Sequence, residues 1–326
     1  MGRRLLPSAA RDVEESAPEM TQPQLATQTP HGRMYARSVG GHLEVPSITT
    51  VIGQQAADLG GWHGYMAAKA ALEDERAARA AHSPGLRHAV IRDAAAAAER
   101  YRDQAAARGD RVHGYCEAVA RHCMGEPGAE EALTEARETL ALHHETAWAD
   151  RFDEWWQLYS PQPLAAEVTV WNHTVGYAGT LDLVARIGGR TCIIDYKTKG
   201  TDRKGRVKPL DRKVIMQLVA GVKAEESLED AENGRWTPWQ YADAPVLLGV
   251  ALGETEVRAQ QANPKLLKDS WFTFCALRRV WSHHREIDQM CQRPGEQPLM
   301  AVVPPPAPVQ PLSPEALEHL PTRTAS

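Results

Sequence analysis

Five cysteines in 326 residues, an odd number with no CxxC pair, leave little for a disulfide framework or a zinc knuckle. That usage implies a reducing, cytoplasmic compartment. Only Cys275 and Cys291 fall late in the chain, so no iron–sulfur cluster is expected. Phenylalanine is scarcer still, at three residues, so aromatic packing falls to nine tryptophans and eight tyrosines. No apolar run approaches the roughly 20 residues that cross a bilayer, and no membrane association is expected. The opening MGRRLLPSAARDVEES has basic residues but no apolar stretch, and does not read as a secretory signal. The absence of a GxxxxGK-Ser/Thr loop argues against an ATP-driven motor. A net charge of −5 argues against a uniformly basic nucleic-acid binder, but not against a local basic patch.

What is present divides the chain. Residues 1–30 are rich in Pro, Gln, Thr and Ser without apolar periodicity, which predicts a disordered arm. RMYARSVGGHLEV, 33–45, reads as a short hairpin turned near Gly40-Gly41, and Ser47 as the N-cap of a helix over SITTVIGQQ. A helical part covers 47–160, on alanine-rich propensity. Residues 163–260 form the sheet core: AEVTVWNHTVGYAGTLDLVARIGGRTCIIDYKT reads as three consecutive strands, and VLLGVALGETEVRAQ as a further hairpin. A helix from about Asp211 to Glu226 lies between them, and a C-terminal helix over 264–291 follows. The Pro-rich tail, 303–326, is a candidate partner-binding segment. One domain over 31–302, mixed α/β with a helical N-terminal half, is the expectation.

Two aspartates inside AGTLDLVARIGGRTCIIDYKTK pose the chemical question. Gly188-Gly189 between two strands is a strong hairpin signal, because a type I′ turn needs positive φ at both central residues. Cross-strand partners then sum to 377, so Ile187 faces Arg190 and Asp182 faces Asp195. Unit charges ~5 Å apart repel by about 3 kcal/mol at an effective dielectric near 20. Lys197, two residues after Asp195, shares its face, opposite Thr180. Two solutions stand: a buried Asp–Lys pair with one acid neutral, or a hard divalent cation between the carboxylates. The second is favoured, since two acids exceed what one ammonium neutralises.

Asp182, twelve residues, then Asp195-Tyr196-Lys197, framed as GYAGTLDLVA…IIDYKT, resembles the PD-(D/E)xK nuclease superfamily. The framing is most similar to its RecB-like branch, which includes phage and CRISPR-associated exonucleases. The resemblance spans about 33–290, with PSITTVIG similar to the opening of phage members. It implies a restriction-endonuclease-like fold, a mixed central sheet flanked by helices. It also implies metal-dependent cleavage of DNA phosphodiesters with Mg2+ or Mn2+, in phage or bacterial DNA recombination, inside a bacterial or phage-infected cell. Asp182, Asp195 and the Tyr196 carbonyl would be metal ligands, and Lys197 would position or activate the attacking water. His113, in Gly109-x-x-x-His113 at the start of the last long helical region before the strands, would be a further ligand. Glu117, one turn on, would orient it. Glu167, opening the first strand of the sheet, is a candidate catalytic acid or an exposed strand-end carboxylate. Relatives carry Q-x-x-x-Y on the next helix; here Gln217 matches and Gly221 replaces the tyrosine.

Residues 197–213, KTKGTDRKGRVKPLDRK, hold eight Lys or Arg against two Asp. Lys199, Arg203, Lys204, Arg206 and Lys213, with Gln217, are the expected DNA contacts, following the backbone rather than reading bases. Trp155, Trp156, Trp236 and Trp239 are candidate stacking platforms or core residues. Exonuclease action is favoured by analogy. The rivals are an endonuclease of restriction or junction-resolving type and a non-catalytic DNA-binding scaffold.

Overall fold

The computed structural model describes residues 25–56, 59–293, 299 and 313–315. The first 24 residues of the expected arm, and all of the Pro-rich tail except 313–315, lie outside the described residues. The chain divides into two compact units, 1–280 and 281–326.

The first unit opens with three antiparallel strands, β1 (Ala26–Thr29), β2 (Gly32–Ala36) and β3 (Leu43–Pro46), in that order. The expected arm was therefore too long. Its last residues turn through Thr29, whose hydroxyl accepts from His31 N–H (3.1 Å), and through Gly32 at φ +96°. Burial of Leu25 against Tyr35, Val45, Trp171 and Ala178 supplies apolar contact that the polar composition of the segment hides. Ser47 caps α1 (Ile48–Ile52) as expected, its side chain accepting from Thr50 N–H at 2.9 Å.

Helices then follow one another: α2 (Gly60–Glu73), α3 (Ala77–Ala80), α4 (Pro84–Ala95), the 28-residue α5 (Ala97–Met124), α6 (Ala129–Leu142) and α7 (Thr146–Tyr159). Gly125, in the left-handed region at φ +71°, ends α5, where its missing Cβ removes the steric penalty. Arg111 on α5 binds Glu145 through two short bonds, 2.7 and 2.6 Å, which pins α5 to the turn before α7.

The sheet strands β4 (Gln162–Asn172), β5 (Tyr177–Ile187) and β6 (Arg190–Thr198) form the three consecutive antiparallel strands that the alternation predicts. Next come α8 (Lys213–Val222), β7 (Glu226–Asp230), β8 (Arg235–Pro238), β9 (Val246–Leu252), β10 (Val257–Gln261) and α9 (Leu267–Cys291). The order is β10-β9-β6-β5-β4-β7-β8, with β6 and β9 parallel and the rest antiparallel. The fold is thus mixed α/β, a seven-stranded mixed sheet flanked by helices. Two departures come from tertiary pairing. The helix expected to run to Glu226 stops at Val222, because Glu226 and Ser227 pair with Trp171 and Val170 of β4. The β7–β8 hairpin was not anticipated; its residues show no apolar alternation.

One sheet face packs Tyr177, Leu181 and Ile193 against α1, α8 and Phe274 of α9. The other packs Leu183, Ile194 and Tyr196 against Val112 and Cys116 of α5 and Phe152 and Trp155 of α7. In that second layer Tyr196 meets Phe152 (5.4 Å) and Trp155 (5.8 Å) edge to face, contacts worth about 1 kcal/mol each beyond area burial. In the second unit the described residues continue α9 to Cys291, with the Arg285 guanidinium 5.5 Å from the Trp281 ring. No helix of the described residues is long and apolar enough to cross a membrane.

Candidate metal centre and cleft

The glycine pair turns as expected, with Gly188 at φ +55° and Gly189 at +77°. Pairing follows the expected register from Ile187–Arg190 to Leu183–Ile194 and then stops, one rung short of the aspartates. Beyond that rung β6 continues on β9, where Asp195 pairs with Gly249 and Lys197 with Ala251. Asp182 does not face Asp195 across a ladder. Its Oδ2 accepts the Tyr196 N–H at 2.6 Å, satisfying a donor that the opened ladder leaves without a strand partner. Lys197 likewise does not sit opposite Thr180, whose hydroxyl bonds to those of Tyr35 (3.0 Å) and Thr169 (3.3 Å).

A second irregularity lies on the same rung. Ala166 pairs with Leu183 and both pack on the α5 face; Val168 pairs with Leu181 and both pack on the α8 face. Strict alternation forbids two residues spaced by two from facing opposite ways. Both strands therefore turn over between them, at Glu167 and Asp182. Glu167 takes φ +46°, a left-handed conformation that a side chain with a Cβ rarely adopts. It sits in the middle of β4 and is half-buried, not at an exposed strand end as one expectation had it. His113 comes from the middle of α5, with α6 and α7 still to follow, rather than from the start of the last helical region.

These distortions bring His113, Glu167 and Asp182 together, with one potential ligand atom of each within 4.8 Å of the others. His113 Nδ1 lies 3.7 Å from Asp182 Oδ2. Gly109, one turn earlier, lets α5 approach β6: a Cβ there would stand 3.3 Å from Thr198 Oγ1. Glu117, one turn later, is held by Arg121 Nε at 2.8 Å.

Asp195 is not one of the three whose ligand atoms meet, though it lies within electrostatic reach of Asp182 and His113. Tyr196 points into the second core, so alternation sends Asp195 and Lys197 the other way together. Asp195 is 4% exposed, and the Lys197 ammonium lies 2.7 Å from both of its oxygens. The same ammonium donates to the Tyr196 carbonyl at 3.0 Å. Two of the groups that the resemblance assigned to a metal are thus engaged by Lys197.

Electrostatics follow from burial and crowding. Burial, then Asp182 and Glu117, push the Glu167 carboxyl up to about 9. Burial also raises Asp182, against the pull of Lys197 and the Tyr196 N–H. Asp195 is raised to about 6 by burial, with Lys197 opposing. His113 is lowered to about 4 by burial and then by Lys197, so its imidazole is neutral at pH 7. Burial works against the Lys197 charge, yet Asp195 and Asp182 outweigh it and hold the ammonium above its ordinary value.

A cleft of about 1140 Å3 opens over this group, lined among others by His113, Glu167, Asp182, Lys197 and Gln217. Of the expected DNA contacts only Gln217 lines it. Lys199, Arg203, Lys204, Arg206 and Lys213 do not. Their loop is folded rather than extended: Asp202 accepts from the backbone of Lys204 (2.8 Å) and Arg206 (3.0 Å) and binds the Arg206 guanidinium at 2.9 Å. Val207 N–H donates to Glu256, docking the loop on the β9–β10 turn. Lys213 reaches the Gln55 carbonyl at 3.5 Å. Among the candidate stacking residues, Trp155 and Trp239 are buried and Trp236 lies under the Arg37 guanidinium, 4.3 Å away. Gly221, at the tyrosine position of the helix motif, is packed under Leu181: a Cβ there would stand 2.9 Å from Leu181 Cδ2.

Neither a protein-family model nor a curated protein matches the chain. Among solved structures, the protein SSO0001 aligns over 53% of this chain and 73% of its own, at 14% identity and a TM-score of 0.26. An overlap that loose carries no statement about fold or function.

Proposed function

We propose that the chain is a metal-dependent nuclease of restriction-endonuclease-like fold that hydrolyses DNA phosphodiester bonds, acting from strand ends. The observation that carries the reading is the meeting of His113, Glu167 and Asp182, from three separate elements, beside the Lys197–Asp195 pair at the base of a cleft.

The donor set suits a divalent cation. A neutral imidazole is the ligating form, and His113 is neutral through the physiological range. Burial raises both carboxyls, Glu167 to about 9 with Asp182 and Glu117 adding to it, and a bound cation would offset that cost of charge. The carboxylates admit Mg2+, and the nitrogen donor leans the set towards Mn2+. Such an ion would supply Lewis-acid polarisation of the phosphate.

The chain's own groups do the rest. Lys197 remains charged, so it acts as a cationic donor to a phosphate oxygen or an entering water, rather than as a base. Asp195 fixes the ammonium in direction. Asp182, bonded to the Tyr196 N–H, couples that strand to the acid group. Exonuclease action rests on the resemblance of the framed hairpin.

The test is a time course on end-labelled linear DNA and on closed circular DNA, with Mn2+ or Mg2+, for wild type and Lys197→Ala. Loss of linear DNA alone, abolished by the substitution, is expected. Cleavage of circles would turn the reading to an endonuclease. Equal rates for the two proteins would remove Lys197 from the chemistry.

A further inference from the structure

The cleft has a second wall, built by the small N-terminal sheet. Arg33 and Tyr35, two residues apart on β2, both line it. Their strand is tied to the segment that leads into Asp182. The Arg33 carbonyl accepts from Ser47 N–H (2.8 Å) and Thr50 Oγ1 (3.1 Å). Ser47 bridges Ala178, and Ile48 fills the place that a side chain on Gly179 would need, 2.5 Å from its Cδ1. The Tyr35 hydroxyl shares a 3.0 Å bond with Thr180. Arg33 is thereby held through residues 178–180, two to four positions before Asp182.

Other arginines near the cleft are committed: Arg111 to Glu145, and Arg121 to Glu117 and Glu126. The exposed Arg33 guanidinium has no ion-pair or hydrogen-bond partner among the described residues. The base of the cleft, meanwhile, gathers Glu167 and Asp182, and its one ammonium among the described residues, Lys197, is shared with Asp195. A polyanion entering there gains from a further cation on a rigid support, one with no partner among the described residues. We propose that Arg33 is that cation: its guanidinium grips a phosphodiester group of the strand lying in the cleft that it lines. Tyr35 positions it through Thr180. The planar fork of donors matches two phosphate oxygens at once, and an exposed arginine sheds no partner to do so. This rests on the nuclease reading and deepens it, since it concerns backbone binding at that same site.

Binding separates the two ideas. A fluorescein-labelled oligothymidylate is titrated with wild type, Arg33→Ala and Arg33→Lys in calcium buffer over a range of salt, with DNA degradation in Mn2+ measured alongside. Arg33→Ala should melt like wild type and bind about tenfold more weakly. Its slope of log affinity against log salt should fall by about one. Arg33→Lys should keep the slope and recover only part of the affinity. As a check that needs no folding assumption, single neutral methylphosphonates are walked along the oligonucleotide. One position should weaken wild type and leave Arg33→Ala unaffected. Wild type that degrades DNA, with Arg33→Ala matching it in affinity and slope, overturns the grip and leaves the nuclease reading standing. Wild type that neither binds nor degrades DNA overturns both.

Discussion

The β5–β6 hairpin has two unlike halves. Nearest the turn, from Ile187–Arg190 to Leu183–Ile194, it is a regular ladder in the register that the glycine pair dictates. One step further the strands part, and there the chain places Asp182, Asp195 and Lys197. The apolar half gains by closing: Leu183, Val184, Ile193 and Ile194 are all buried, each worth roughly 2 kcal/mol. The polar half gains by opening, because separation turns a carboxylate–carboxylate clash into a carboxylate–amide bond and a carboxylate–ammonium pair. A sheet admits buried acids where its ladder ends and the freed backbone and a lysine can meet them.

The largest effect should come from removing the ammonium that holds the open half together. Lys197→Ala leaves Asp195 buried without its counter-ion, at about 3 kcal/mol or more in urea denaturation. It should also slow DNA degradation by about a hundredfold or more. Adding Asp195→Asn should restore much of the stability and none of the activity; recovery of both would mean that the pair serves packing alone.

Asp182→Asn keeps an oxygen for the Tyr196 N–H and removes a charge from the crowded rung. The metal-free protein should melt at the wild-type temperature or higher. The rise in melting temperature that Mn2+ gives wild type should vanish, as should DNA degradation. A preserved Mn2+ response would place the ion elsewhere.

Acidity should expose the same contrast. Glu167 titrates near 9 in the folded chain against 4.5 ordinarily, so the folded state binds the extra proton and stability is lost as pH rises through that interval. Asp195 acts in the same direction, below about 6. His113 has the opposite sign: lowered to about 4 from 6.5, it makes stability rise with pH between those values. Above 6.5 Glu167 alone of these three remains, so metal-free stability should decline towards pH 9. Denaturant midpoints of wild type and Glu167→Gln across that range would show it. A decline that persists in Glu167→Gln would assign it to another group.

Smaller effects belong to the glycines. Gly179→Ala drives a methyl into Ile48 and should cost about 1–3 kcal/mol, loosening the N-terminal sheet from β5. Gly189→Ala, at φ +77° in open space, should cost about 1 kcal/mol, and Gly189→Asn less. If Gly189→Ala instead abolished DNA degradation, the two halves of the hairpin would not be separable.

Much of this was legible from local chemistry. A Gly-Gly pair flanked by β-branched residues needs only its own torsions to set a turn and a register, and three strands followed from alternation. The Asp195–Lys197 pairing likewise needs only the period of a strand. His113 and its place beside Asp182 were reached through a motif resemblance, while its meeting with Glu167 was not. Sequence offers no sign that the ladder stops at Leu183, because beyond it β6 keeps its pairing to β9, a strand about fifty residues further along. Nor does it show that Glu167 takes a positive φ, a conformation imposed by neighbouring strands against its own preference. In the charge run 197–213 the count of lysines and arginines says nothing of Asp202 folding the loop back on itself. Arg33 was passed over because nothing in RMYAR marks which cleft that strand will border.

By itself, then, the amino-acid order determined the strands around the glycine turn, the capped start of α1 and the side-by-side placement of Asp195 and Lys197, since each depends on interactions within a few residues. That Glu167 joins His113 and Asp182, and that Arg33 borders their cleft, was decided only when α5, β2, β4 and β5 converged. Charge interactions act through space: groups more than fifty residues apart in the chain share one field, and their protonation and partners follow from that convergence.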